Sequence, residues 1–285
     1  MNSLADKKFL IVGLGLLGGS YAIALKSKGY FVGGIDKDSN AIKYALENKI
    51  IDQSVSLTDE KALKNYDVIV LALYPKAVTL WIEENQKHLK DGAIITDVTG
   101  IKSSIVNSVQ KLLRPSLEFI GAHPMAGKES SGIKNASSDI FNGANFIITP
   151  TESNTKKAIE FISGLAKELG FGRISLLSPE KHDEMIGFLS QLTHCIAVSL
   201  MNCNENEDLA LYTGDSFRDL TRIAKINEEM WTELFLMNKD KLIKEMDLFM
   251  EKFKILKKGI ESDDELAIKE MMRTSTKRRK DFDKK

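Results

Sequence analysis

Only two cysteines, five prolines, two tryptophans and four histidines occur among the 285 residues. Cys195 and Cys203 cannot build a disulfide framework, so the expected setting is a reduced compartment with both thiols as small core residues. Net charge is missing too, since 40 Lys and Arg balance 40 Asp and Glu. No global field draws the chain to nucleic acid or to a membrane, and the expected partner is a small molecule held by a few local charges. Residues 9–25 imitate the core of a signal peptide after Lys7 and Lys8. Gly13, Gly15, Gly18 and Gly19 interrupt that run, however, and no convincing cleavage site follows. No other segment reads as long enough to cross a bilayer, and the expected location is the cytoplasm.

What is present is ordinary globular material, 43% hydrophobic and 28% charged, enough for one large domain or two medium ones. Short apolar runs read as strands at Lys8–Gly13, Phe31–Asp36, Asp67–Leu73, Ala93–Asp97, Glu118–Ala122, Asn145–Thr149 and Arg173–Leu177. Helical patterns at Leu16–Lys28, Ser39–Asn48 and Lys156–Leu169 lie between them. Runs with few charges, alternating with helices, predict a parallel, doubly wound α/β sheet covered on both faces. After Ser178–Pro179 the texture changes: no proline follows, and helical patterns cover Pro179–Asn202, Phe217–Lys225, Glu228–Glu251 and Asp264–Lys280. Met201, Met230, Met237, Met246 and Met250 recur on apolar stripes. The expectation is an all-helical domain over 178–285 behind a nucleotide-binding domain over 1–177, with the stripes making a monomer unexpected. Lys277–Lys280 reads as a solvated, fraying end.

Gly13-Leu14-Gly15-Leu16-Leu17-Gly18 matches G-x-G-x-x-G, a weak pattern alone but here set between a buried strand and a helix. The first glycine permits the turn, the second admits a pyrophosphate to the backbone, and the third packs helix on strand, as in a Rossmann-type fold. Helix N–H groups at Leu16 and Leu17 then face the anion. Asp36, eighteen residues past Gly18, ends the second strand where a carboxylate accepts the ribose hydroxyls. That favours NAD over NADP, although neighbouring Lys37 is able to pair with a 2′-phosphate. Leu73 and Thr99, at the ends of two further strands, complete the expected cofactor set. No metal is expected.

Four polar segments read as site. Asp97-Val98-Thr99-Gly100-Ile101-Lys102 and Gly121-Ala122-His123-Pro124-Met125-Ala126-Gly127-Lys128-Glu129 both follow strands, so both fall at the carboxyl edge of the sheet, where ligands bind. Ser190–His194 and Phe217–Lys225 lie on helices of the second domain, the latter placing Arg218 and Arg222 on one face. His123 is the expected catalytic group, because an imidazole exchanges protons near neutrality. His182-Asp183 reads best as an interdomain structural pair, and His88 as surface.

His123-Pro124-Met125-Ala126-Gly127-Lys128-Glu129 resembles the H-P-[IM]-x-G-x-E segment of prephenate dehydrogenases. Phe217–Lys225 with Trp231 resembles that family's F-[RK]-D-x-T-R-I-A…W segment, and the likeness runs in order from the nucleotide loop to Trp231. The resemblance implies a dimeric oxidoreductase that uses NAD to convert prephenate to 4-hydroxyphenylpyruvate in tyrosine biosynthesis. It implies that His123 accepts the proton of the C4 hydroxyl, that Arg222 grips a substrate carboxylate, and that His194 lies at the polar end of the substrate. Lys128 and Thr99 join the expected substrate contacts. Glu129 reads either as a gate or as a loop carboxylate, and Trp231 either as a wall of the site or as packing. Arg218 and Asp219 read as a local ion pair.

Two departures stand out. Many family members carry Ser where this chain has Gly100, leaving a second hydroxyl near the substrate to Thr99, Ser103, a water or a ribose. Asp215-Ser216 replaces a common glycine-rich turn, a weak hint toward the ammonium of arogenate. With no sequence after 285 for a regulatory domain, tyrosine inhibition is expected to act at the active site. The alternatives are an arogenate dehydrogenase with the same chemistry and, from another class, a dinucleotide-sensing regulator. A regulator would lack a proton acceptor in the crevice, and His123 argues against it.

Overall fold

The computed structural model describes residues 6–56, 59–128 and 130–282. Eight strands, β1 (Lys8–Val12), β2 (Phe31–Ile35), β3 (Gln53–Ser54), β4 (Val68–Leu71), β5 (Ile94–Asp97), β6 (Glu118–Met125), β7 (Asn145–Thr149) and β8 (Arg173–Leu176), form one sheet. Their order is β3-β2-β1-β4-β5-β6-β7-β8. Side chains alternate across it: Phe9 and Ile11 face one core with α1 (Leu16–Ser27) and α6 (Lys156–Glu168). Leu10 and Val12 face the other with α4 (Pro75–Asn85) and α5 (Ser103–Leu112). Each fully buried Leu, Ile or Val contributes roughly 1.5–3 kcal/mol, so this two-sided burial is the main source of stability. Short helices α2 (Ser39–Glu47) and α3 (Glu60–Leu63) complete the wrapping.

The α/β reading holds, with one departure from a fully parallel sheet. β6 and β7 run antiparallel, with His123 opposite Ile147, whereas β7 and β8 are parallel. Among the described residues between β6 and β7 the helical turns are short 3-10 ones, Ile133–Asn135 and Ser138–Phe141, rather than the crossover helix a parallel pair needs. This has a consequence for position. β5 pairs with β6 only as far as Thr96 opposite Ile120, so β6 past that point leans on β7 alone. His123 is therefore carried beyond the end of β5. Pro124 falls in this one-sided stretch, where a strand tolerates a missing N–H.

Beyond β8 the chain is helical: α7 (Pro179–Ile186), a π segment (Gly187–Leu192), α8 (Thr193–Met201), α9 (Leu209–Tyr212), α10 (Asp215–Thr221), a 3-10 turn (Arg222–Ala224), α11 (Glu228–Met237), α12 (Lys239–Glu261) and α13 (Glu265–Arg279). Ser178 caps α7 by accepting from Lys181 N (3.1 Å), and Pro179 fills the first turn. The helix expected over Glu228–Glu251 breaks at Asn238, whose backbone leaves helical geometry (φ −116°). Its side-chain amide donates to Asp183 O (2.9 Å) and to Gln191 Oε1 (2.7 Å). Gln191 Nε2 in turn donates to Leu234 O (2.9 Å). A buried amide with both N–H donors met outweighs one more helical turn. The segment expected as helix over Phe217–Lys225 starts at Asp215 and tightens to 3-10 from Arg222.

The chain divides into two compact units, residues 1–238 and 239–285. The second is a helical hairpin of α12 and α13, with Asp263 in left-handed geometry (φ 52°) and Asp264 capping α13 through Ala267 N (3.0 Å). Many of its apolar side chains are exposed, among them Phe253, Ile260 and Leu266. In the first unit, the continuous helical run Pro179–Met201 departs from the expectation about membrane-length segments. By length and composition alone it is apolar enough to cross a bilayer, with a mean hydropathy of 1.3. It nevertheless buries His182 and Asp183 against the sheet domain and Gln191 against Leu234 and Asn238, while Phe188 and Leu189 stay exposed. These are the features of a core-edge helix with an uncovered apolar face.

The nucleotide-loop glycines differ in what they tolerate. A Cβ on Gly18 would lie 1.8 Å from Gly13 O, whereas a Cβ on Gly15 would meet nothing within 4 Å. Gly18→Ala should therefore lose about 1–3 kcal/mol or more of unfolding free energy in denaturant titration, and Gly15→Ala almost none. Equal stability of the two variants would contradict the packing described.

Candidate active site

The sheet order reverses at β1, which has β2 on one side and β4 on the other, and a ligand crevice opens at the carboxyl ends of such strands. Gly13 turns the chain there with φ 91°, and a Cβ on it would lie 2.4 Å from Ala72 O and 3.2 Å from the Leu73 side chain. Gly15 is the N-cap of α1 without a side-chain cap, and no acidic residue occupies the first turn, which begins at Leu16 and Leu17. Open space at Gly15 above uncapped N–H groups suits a pyrophosphate. Asp36 is anchored at the rim: Oδ2 accepts from Leu14 N (2.5 Å) and Oδ1 from Asp38 N (2.8 Å). Lys37 beside it is exposed. Loop, Leu73 and Asp36 thus form a nucleotide cradle to which these residues are suited.

Beside the cradle, β5 ends in Asp97, whose carboxylate is buried. Oδ1 accepts from Ala122 N (3.0 Å), while Oδ2 takes Thr99 N (3.1 Å), the Thr99 hydroxyl and Lys102 Nζ (2.5 Å). Lys102 is fully buried and also donates to Thr99 Oγ1 (2.8 Å). Burial pushes the Lys102 ammonium pKa down, against the opposing pull of Asp97. Thr99, expected among the ligand contacts, is buried with its hydroxyl engaged by Asp97 and the Ile101 carbonyl.

His123 sits next to this pair, partly exposed. The ring's Cε1 lies 3.8 Å from where a Cβ on Gly100 would be, and Leu234 lies 3.4 Å from the same point. A side chain at position 100 would therefore touch His123 directly. His123 Nδ1 is 2.9 Å from His182 Nε2, and His182 Nδ1 is 2.7 Å from Asp183 Oδ1. Desolvation, then His182 and Lys102, holds the His123 pKa well below its ordinary value, so the ring is neutral near pH 7. Burial also opposes the charge on Asp183, but hydrogen bonds from His182 and Ser103 outweigh it and lower its pKa.

The remaining sequence candidates are spread around these groups. His194 Nδ1 is 2.8 Å from Ser190 O, and its ring lies on Trp231 with centroids 3.7 Å apart. Arg222 is exposed on the 3-10 turn that packs against α8, and Lys128 is exposed past β6. Glu129 lies outside the described residues. Arg218 pairs with Asp215 (3.0 Å) rather than with Asp219, because residues three apart share a helical face and adjacent ones do not. That engages Asp215 away from the role hinted at for it. The sequence reading placed Asp97 and Lys102 in a site segment but missed their ion pair, and it missed the contact of His182 with His123. The His182–Asp183 pair does bridge the two parts of the chain, as expected, but it ends on the catalytic candidate. The only sequence signals were a lysine five residues after a strand-ending aspartate and a His-Asp pair behind a helix cap.

Removing one partner of a buried ion pair strands the other charge. Lys102→Met should therefore cost about 3–5 kcal/mol in chemical denaturation, with partial recovery when Asp97→Asn is added. A Lys102→Met protein as stable as the parent would refute this account of the pair.

Comparison with known proteins identifies the family. Residues 21–175 match the nucleotide-binding domain of prephenate dehydrogenase, and residues 178–274 its dimerization domain. A prephenate dehydrogenase from Lactococcus lactis is 32% identical over 94% of this chain and 73% of its own length. A cyclohexadienyl dehydrogenase from Zymomonas mobilis is 29% identical over 96% of this chain and 95% of its own. A solved prephenate dehydrogenase from A. aeolicus, in complex with hydroxyphenyl propionate and NAD+, is 29% identical and superposes with a TM-score of 0.89, covering 99% of this chain and 100% of that one. With both family domains matched in order across a nucleotide cradle and a histidine crevice, the chain belongs to the prephenate dehydrogenase family.

Proposed function

We propose that this protein oxidises prephenate with NAD, releasing carbon dioxide and 4-hydroxyphenylpyruvate, and that His123 handles the proton of the C4 hydroxyl. The observation that carries the reading is His123 itself: a neutral imidazole at the crevice, carried past the end of β5 beside the nucleotide cradle. Gly13, Gly15, Leu16, Leu17, Gly18, Leu73 and Asp36 hold NAD, with the Asp36 carboxylate on the ribose hydroxyls, which disfavours a 2′-phosphate there. Bound NAD supplies the acceptor for the hydride from C4. As that hydride leaves, the hydroxyl proton passes to His123; loss of carbon dioxide aromatises the ring, and the phenolate takes the proton back. Aromatisation drives the reaction, so the protein's task is to orient the ring and hold one proton.

The substrate is a dianion. Arg222 provides a planar fork for a carboxylate, and His194, steadied by Trp231, lies on the same helical part at the polar end. Lys128, exposed past β6, offers a further cation to the substrate. Residues 178–285 act as the substrate-binding and dimerisation part, and the exposed Phe188, Leu189, Phe253 and Leu266 support a cytoplasmic homodimer that covers them. Tyrosine, formed in a later step, competes for the same pocket because its phenol resembles the ring.

A steady-state assay of prephenate and arogenate, each with NAD and NADP, tests the reading, and prephenate with NAD should give the highest kcat/KM. His123→Asn should lower kcat by about 10²–10⁴-fold while NAD affinity stays nearly unchanged. Retained turnover would remove His123 from the mechanism. Only the neutral ring accepts a proton, and its pKa is lowered, so kcat/KM should hold as pH falls to 6.5 and decline below it. An acid limb centred above pH 7 would contradict this. Arg222→Ala should raise KM by roughly 10–100-fold, the worth of a charge-assisted hydrogen bond, and weaken tyrosine inhibition in parallel. Unchanged inhibition in that variant would place tyrosine elsewhere.

A further inference from the structure

The groups behind His123 form an ordered chain that starts at the first turn of α5. Lys102 stands at the N-cap of that helix without a side-chain cap of its own. The orphan N–H groups are instead met from α7: Asp183 Oδ1 accepts from Lys102 N and Oδ2 from Ser103 N, each at 2.8 Å. An ionised carboxylate is an acceptor only, so the His182 Nδ1 that approaches Oδ1 at 2.7 Å carries a proton. In a neutral ring the other nitrogen is then a lone pair. Desolvation first, and Lys102 after it, keeps His182 neutral by lowering its pKa, against Asp183 and Asp97. The His182 Nε2 lone pair faces His123 Nδ1 at 2.9 Å, and two lone pairs do not face each other at that distance. His123 Nδ1 is therefore the protonated nitrogen, and the free lone pair of that ring is on Nε2.

The geometry points to Asp183 and His182 as positioning residues for proton transfer: Asp183, locked to the start of α5, sets the tautomer of His182, and His182 sets that of His123 so that Nε2 alone accepts the substrate proton. This rests on the reading of His123 as proton acceptor. The chain also gives the proton somewhere to go. When Nε2 of His123 gains the hydroxyl proton, the Nδ1–H bond breaks and a bond forms at His182 Nε2. The positive charge then lies against the Asp183 carboxylate, and the same steps reversed return the proton to the phenolate. Lys102 at the start of α5 and Asp97 at the end of β5 are the other charges near the pair, and they neutralise each other.

The test combines kinetics with the ¹⁵N shifts of histidine-labelled protein. In the parent, His123 should show a protonated Nδ1 and a bare Nε2 at pH 8. In Asp183→Asn the side-chain oxygen goes to the α5 N–H groups and its NH₂ faces His182. Both tautomers then reverse, and His123 presents Nε2–H to the substrate. The expected fall in kcat is about 10²–10⁴-fold, as for a catalytic histidine held in the wrong tautomer, with KM and NAD affinity within about threefold. Because Asp183 also caps α5, a second pair keeps the test sound if that variant does not fold. His182→Gln retains an oxygen able to accept from His123 Nδ1, and it should keep at least about tenfold more kcat than His182→Leu, which offers none. A bare Nδ1 in the parent, an Asp183→Asn kcat near that of the parent, or equal losses in the two His182 variants would each overturn the proposal. Its failure is separable from that of the parent reading: an inactive His123→Asn beside a fully active Asp183→Asn removes only the relay, whereas an active His123→Asn removes both.

Discussion

A carboxylate taken out of water keeps its charge only if its lone pairs are met, and two such carboxylates organise this molecule. Asp97 ends a central strand and gathers Ala122 N, Thr99 and Lys102, which ties the turn after β5 to the strand that carries His123. Asp183 comes from α7 and gathers the first N–H groups of α5 and the ring of His182. Between them they fix the segment from 97 to 103, and with it the floor beside His123. Neither arrangement adds much net stability over an apolar core of the same shape, because desolvation of the charges consumes most of the attraction. What they add is geometry, a set of fixed contacts on the segment beside His123.

The apolar core tells a complementary story. Its two layers are complete on the sheet, whereas the helical run Pro179–Met201 and the hairpin of α12 and α13 leave large side chains in solvent. Residues 178–274, which include these faces, match a dimerization domain. The π segment within the first of these helices turns Gln191 inward, where it joins Asn238 and the Asp183 carbonyl. An apolar surface outside and a polar clamp inside thus share one helix.

Much of this was legible in the residues. The glycines at 13, 15 and 18 are readable because their roles depend on a missing Cβ, which is a property of the sequence itself. His123 was readable because a histidine before proline at the end of a strand has few structural uses. Seven of the eight strands were readable, since burial on both faces removes charges from them, but β6 runs three residues past the reading and the two-residue β3 escaped it. What escaped depends on closure in three dimensions. Nothing local announces that Lys102 turns inward to Asp97, or that His182 meets a ring 59 positions away. The antiparallel return of β7 was hidden because an irregular connection looks the same whichever way it ends. The break at Asn238 was hidden because its partners lie on another helix.

The central claim is that His123 receives the substrate's hydroxyl proton on Nε2, with Nδ1 held from behind. The most direct measurement is a crystal structure of the complex with NAD and the phenolic product. The account predicts the phenol oxygen at about 2.6–3.2 Å from His123 Nε2, with the contact from Nδ1 to His182 intact. A phenol oxygen bound by another side chain, or a His123 ring turned so that Nδ1 faces the product, would contradict it.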